Sequence, residues 1–211
     1  MRNRNAITVL VSCFFIVCFC SVSSAQGPGG RRVSSGSNDF AKPVSFYVGG
    51  GISVPAGPDE FSDYWTAGFH GTAGIGVKTT RTLFVVFKGE YHSMPFDWGQ
   101  FGLSGVVSGL TLNAFMVGAD ARFVFGAPAA SANGVFFAGL GVANVSFSDL
   151  KGGGEVVPIG VSETKMYINV GGGVEFKAGP TMKIFLQGAV VSIATSGEST
   201  GFVPITAGIR F

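Results

Sequence analysis

The residues able to do chemistry are few. Two histidines occur, His70 and His92. His92 is followed by Ser93 and, four residues further, by Asp97. An imidazole base beside a hydroxyl nucleophile is the minimum for hydrolysis or acyl transfer. The plainer reading makes His92 a rim side chain at a strand end. Asp59, Glu60 and Asp63 supply oxygen ligands suited to Ca²⁺, but their spacing follows no known calcium loop. A solvated acidic loop accounts for them. The glycine triplets 49–51, 152–154 and 171–173 are not phosphate cradles, because no helix follows them. No catalytic residue, cofactor site or metal site is therefore assigned.

The three cysteines, Cys13, Cys18 and Cys20, lie in the first 20 residues. Arg2 and Arg4 form a positive start, and Ala6 to Cys20 is an apolar stretch. Ser23-Ser24-Ala25 offers small residues at the −3 and −1 positions, so residues 1–25 read as a secretory signal cut after Ala25. An uncleaved helical anchor is the rival. A lipoprotein fits less well, since Val17 and Phe19 precede the candidate cysteines. The mature chain then has no thiol. Its 14 basic and 12 acidic residues become 12 and 12 once Arg2 and Arg4 leave. No basic stripe remains for nucleic acid. Residues 26–42 are polar and rich in Gly and Ser, a flexible tether.

The elements that position the rest follow from composition. Charged residues make up 12% of the chain and mean hydropathy is +0.44. A soluble domain carries about 25% charged residues. After residue 25 no apolar run of about 18 residues appears, which argues against membrane helices. A closed barrel is the other way to satisfy every backbone group in lipid. From Pro43 the pattern has period two. Eight segments emerge: 44–54, 65–78, 82–92, 109–125, 135–147, 163–177, 182–191 and 202–211. Tilted strands of about 9–11 residues cross a bilayer. Connections near 79–81 and 178–181 are short; those around 55–64, 93–108, 148–162 and 192–201 are longer, the asymmetry of a transmembrane barrel. The connection Gly126–Gly134 is long for the short side. The predicted fold is all-β, a closed antiparallel up-and-down transmembrane barrel of eight strands over 43–211. A soluble barrel or sandwich is disfavoured, because the polar face is filled with glycine.

Charge cost fixes the faces. A Lys at the bilayer midplane on the lipid side costs roughly 2–4 kcal/mol. Lys88 and Glu90 must point inward, and so must Asp120 and Arg122. Glu175 and Lys177 share an inward face with Tyr167 and Asn169; Lys183 with Gln187; Arg210 with Thr206. Isolated charges in a narrow lumen are costly to desolvate. Two layers are predicted: Lys88, Glu90, Asp120 and Arg122 in one ion-pair network, and Glu175, Lys177, Lys183 and Arg210 nearer the short turns. Eight strands leave an interior just wide enough for side chains, so with Tyr167 and Gln187 these groups should block ion flow. Tyr64, Trp65, Tyr91, Phe96, Trp98, Phe123 and Phe125 lie near strand ends, where aromatic girdles form. Trp98 and Phe101 could instead form a sticky loop tip.

The ending VPITAGIRF alternates apolar residues up to Phe211. It resembles the terminal signature by which outer-membrane barrels are recognised. With the export signal and eight strands, residues 43–211 resemble small outer-membrane barrels of the OmpA/OmpX type. The resemblance implies a Gram-negative outer membrane, contact with its lipid and lipopolysaccharide, and assembly by the barrel-assembly machinery through Ile205, Ala207, Ile209 and Phe211. It implies a barrel without the peptidoglycan-binding domain of longer OmpA-like proteins. Three functions compete: a non-enzymatic structural or interaction protein working through its loops, towards an extracellular protein or phage; a small pore; and a lipid A-modifying enzyme using His92, Ser93 and Asp97. The last lacks an amphipathic N-terminal helix and a late His–Ser pair. The loops carry Asp59, Glu60, Asp63, Asp97, Asp149, Glu155 and Glu198 against Lys151, so the outward end should be negative and should repel lipopolysaccharide phosphate.

Overall fold

The computed structural model describes residues 44–103, 106–126, 130–153, 155–194 and 199–211. The segments predicted as an export signal and a tether lie outside the described residues, as do Glu198 and the side chain of Glu60. Eight long strands are described: β1 (Val44–Gly57), β2 (Gly68–Lys78), β3 (Leu83–Pro95), β5 (Thr111–Phe125), β6 (Ala132–Phe147), β9 (Ser162–Lys177), β10 (Lys183–Ala194) and β11 (Ser199–Arg210). They close into a barrel in the order β1-β11-β10-β9-β6-β5-β3-β2, antiparallel throughout. Three short strands, β4 (Val107–Gly109), β7 (Leu150–Gly152) and β8 (Glu155–Val157), form a separate small sheet.

The eight predicted segments are these eight strands, with shifted ends. β2 starts at Gly68 instead of 65, because Trp65 leaves the short helix α1 (Asp59–Tyr64) and makes only a single bridge to Phe96. β6 begins at Ala132, so the connection on the short side spans 126–131 and is not unusually long. Ala132 and Asn133 pair with Phe176 and Glu175 of β9, a non-local pairing with no mark in the local pattern. Gly126 takes a φ of +133, a conformation side chains resist, at the end of β5. In the tight turn after β2, Thr80 Oγ1 accepts from the backbone of Leu83 at 3.1 Å.

Register sets the barrel shape. Starting at Ser45, the pairing runs through Gly76, Val86, Asp120, Gly139, Asn169, Val191 and Phe202 and returns to β1 at Pro55. The stagger from 45 to 55 is ten residues, and a stagger of this kind tilts the strands by roughly 35–45°. The outward face of β5 is apolar from Phe115 to Phe125, with Ala119 and Ala121 as its small members. Ten tilted residues at about 3.3 Å each give a band about 25 Å tall, the height of a hydrocarbon-facing belt. At one end of the belt Phe46 and Phe211 stack at 6.0 Å between ring centroids. At the other end Tyr91 donates its hydroxyl to Asn113 at 2.8 Å. Ile168 lies well within the belt and is 64% exposed. Ile168→Lys is expected to cost about 2–4 kcal/mol, measured by urea unfolding in phospholipid vesicles. An unchanged midpoint would show that this face does not meet lipid.

Candidate functional site

The inward face is a column of side chains in three zones. At the short-turn end Glu175, wholly buried on β9, collects cations from three other strands. Arg210 Nη2 lies 3.1 Å from its Oε2, and Arg122 Nη1 and Lys183 Nζ each lie 3.9 Å from one of its oxygens. Arg122 also donates to Gln187 Oε1 at 2.8 Å. Its guanidinium is 5.0 Å from the centres of both the Tyr47 and Phe137 rings, and that of Arg210 is 5.1 Å from Phe84. These aromatic faces replace part of the lost hydration.

The middle zone holds Lys88 between two carboxylates, 2.9 Å from Glu90 and 3.0 Å from Asp120. Asn169 Nδ2 donates to Asp120 Oδ1 at 3.2 Å. The charges of the two zones counterbalance. Glu90, Asp120 and Glu175 face Lys88, Arg122 and Arg210, and the partly solvated Lys183 adds one more cation at the rim.

Two sequence assignments change. Strand parity puts Arg122 with Lys88, Glu90 and Asp120, but the side chain reaches across the lumen to Glu175 and belongs to the lower zone. Asp120 and Arg122 are neighbours on one face, yet the stagger of β9 brings Glu175 level with the Arg. Parity also puts Lys177 in the second layer, but its side chain is exposed at the strand end, opposite Lys183 in the register. The strand stops there, so water reaches it.

The upper zone is invisible as a unit in the sequence. Ser53 Oγ lies 2.8 Å from His92 Nδ1 and 3.2 Å from His70 Nδ1, and His70 Nε2 lies 2.9 Å from Thr206 Oγ1. The imidazoles stack at 5.1 Å. His92 is therefore not a rim residue; it is fully buried. It points into the lumen, while Ser93 is on the opposite face of β3 and Asp97 accepts from Gly99 N in the next loop. The trio His92, Ser93 and Asp97 is not assembled. Part of the signal is present in the chain: parity with Lys88 and Glu90 puts His92 inside. Contact with Ser53 on β1 needs the closed barrel. A hydroxyl between two imidazoles could accept or relay a proton, but Ser53 has no exposed surface. Above it Trp65, Met94, Leu112, Ile193 and Phe202 form a packed apolar cluster. With ion pairs below and this cluster above, planar-bilayer recordings of the refolded chain are expected to show no large, steady conductance. A stable open level would overturn the sealed lumen.

At the same end, the connecting loops are tied to one another. Asp97 N donates to Tyr64 O at 2.8 Å, and Gln100 Nε2 to Asp63 O at 2.5 Å. Trp98 Nε1 donates to Gly109 O at 3.1 Å. β4 from one long loop pairs with the β7–β8 hairpin of another. Phe96 is the hub of the aromatics, with its ring 4.6 Å from Trp98, 5.4 Å from Trp65 and 5.8 Å from Phe101. The sequence marks these aromatics but not α1, the 3₁₀ turn Trp98–Phe101 or the small sheet, whose short pieces leave no periodic pattern. On α1, Asp59 and Asp63 are one helical turn apart.

No family model matches the chain, and no curated protein does. Solved structures do. Neisserial surface protein A is 14% identical, with a TM-score of 0.58, over 80% of this chain and 96% of that one. A major outer membrane protein from Thermus thermophilus is 10% identical, with a TM-score of 0.54, over 80% of this chain and 98% of that one. At such identities the likeness is one of fold: a closed eight-stranded barrel of the kind built by outer-membrane proteins.

Proposed function

We propose that this chain is a non-enzymatic outer-membrane barrel whose role is structural or surface interaction through its long-loop end. The observation that carries this reading is the pairing of a lumen holding ion pairs and an apolar cluster with a loop surface tied by backbone pairing and aromatic packing. A rigid scaffold presenting ordered loops is the usual way a fold of this type carries recognition. The Ser53–His92 contact supports no enzyme reading, because the apolar cluster leaves a substrate no path to it. The belt, the export signal over 1–25 with cleavage after Ala25, and the terminal residues Ile205, Ala207, Ile209 and Phe211 together support insertion by the barrel-assembly machinery. Phe211 and Phe46 exchange backbone hydrogen bonds at 3.1 and 2.8 Å, so the terminal strand closes the barrel.

The reading is tested on intact cells with and without the protein. Adsorption of phage and of a panel of extracellular host proteins is measured on both. At least one binding event should depend on the protein and disappear when loop 96–110 is shortened. No protein-dependent binding, together with steady conductance, would favour a pore.

A further inference from the structure

We infer that the short-turn mouth of the barrel is an anion site that takes a phosphate group, either free or at the head of a phospholipid. The inference goes beyond the interaction reading and concerns the opposite end of the molecule. The register puts three cations side by side on the inward face. Lys177 of β9 lies opposite Lys183 of β10, and Lys183 lies opposite Arg210 of β11. Like charges directly opposite in a ladder destabilise it. Two more cations join them from the other walls. Lys78 of β2 and Arg210 approach the same buried Phe84 ring, 5.7 and 5.1 Å from its centre. Arg122 of β5 reaches Glu175 at 3.9 Å.

Counter-charge is short at this end. Glu175 is the carboxylate that Arg122, Lys183 and Arg210 share, and Asp120, one inward position above Arg122, is held by Lys88. Residues 76–89, 121–134 and 176–190, which contain the three short turns, have no Asp or Glu and add Arg81. The mouth therefore carries a surplus of positive charge beside aromatic rings and apolar strands, where water screens weakly. That surplus selects the ligand. A phosphate group brings negative charge and several acceptor oxygens, so one ligand can accept from Lys177, Lys183 and Arg210 together. Arg matches phosphate with two parallel bonds and Lys serves as a point charge. Access is from the short-turn side: Lys177 is exposed and the Lys183 side chain is 20% exposed, so the lumen does not have to open. Phe46 and Phe211 stack at the edge of the belt at this same end, so lipid phosphates are at hand as well as free phosphate.

The test titrates inorganic phosphate calorimetrically into the full chain in phosphatidylcholine nanodiscs, with empty discs as the blank. Binding should be saturable. Lys177→Gln/Lys183→Gln should bind at least ten-fold more weakly. Lys151→Gln removes a cation at the loop end and should bind like the parent. Lys177→Gln alone relieves a like-charge pair at an exposed position, so it should keep the gel shift of the folded barrel. Its urea midpoint in chloride should rise, and it should lose most of the further rise that phosphate gives the parent. A second arm rebuilds the chain in discs of four parts phosphatidylcholine to one part phosphatidylglycerol, extracts it in detergent and counts the phosphatidylglycerol retained. Retention by the parent and not by the double variant makes the lipid head the source. Phosphate binding without retention makes it the free anion. Absence of both would overturn the inference, as would double-variant binding equal to the parent's or an equal loss in Lys151→Gln.

Discussion

Glu175→Ala is expected to destabilise the barrel by about 3–5 kcal/mol, the cost of removing one partner from a buried ion pair. The side chain is the anion for Arg122, Lys183 and Arg210 and has no exposed surface. Without it Arg122 keeps its bond to Gln187 and its place on the Tyr47 and Phe137 rings, and Arg210 loses the carboxylate 3.1 Å from its Nη2. Lys183 suffers less, because its side chain is 20% exposed and can turn to water. Glu175→Gln keeps the shape and should lose nearly as much, since the neutral amide removes the shared counter-charge. Urea unfolding in vesicles, followed by the gel shift between folded and unfolded barrel, gives the number. A loss below about 1 kcal/mol would mean that water already solvates this zone and that the lumen is open from below. Asp120→Ala should show a smaller loss, because Lys88 keeps Glu90 at 2.9 Å.

Gly139→Val is expected to abolish assembly. A Cβ at this position would meet Asp120 Oδ1, and would come within 2.5 Å of Ala119 O and 2.7 Å of Asn169 Oδ1. The backbone oxygen cannot rotate away, and shifting Asp120 breaks its contact with Lys88. Overpacking a well-filled interior costs about 1–3 kcal/mol or more, here added to a disrupted ion pair. Gly71, on the outward face, is the control: a Cβ there meets nothing within 4 Å. Gly71→Val should assemble as well as the parent, or better, since β-branched residues suit a strand. The readout is the fraction of refolded protein that migrates as a compact barrel. Equal yields for the two variants would show that the lumen is roomier than its contacts imply.

These substitutions separate two kinds of information. Local pattern is enough to say that a barrel forms and which way its side chains point. Period-two alternation needs only neighbouring residues, and the cost of charge in lipid chooses a face without knowledge of the partner strand. Lys88, Glu90, Asp120 and Glu175 are placed inside on that basis alone. Partnership across the lumen is instead a property of closure. It depends on the ten-residue stagger accumulated around eight strands, a sum of hairpin and turn geometries that no single segment displays. That stagger takes Arg122 away from the Asp120 layer and sets it beside Glu175, two strands over. It brings Ser53, His70, His92 and Thr206 together from four strands. Strand ends also depend on neighbours: Lys177 has inward parity but ends in water because pairing stops there, and Ala132 joins β6 because β9 is present to bond it. The loop platform is the least legible part. Its helix and short strands are too brief for periodicity, and their order comes from contacts between loops far apart in the chain.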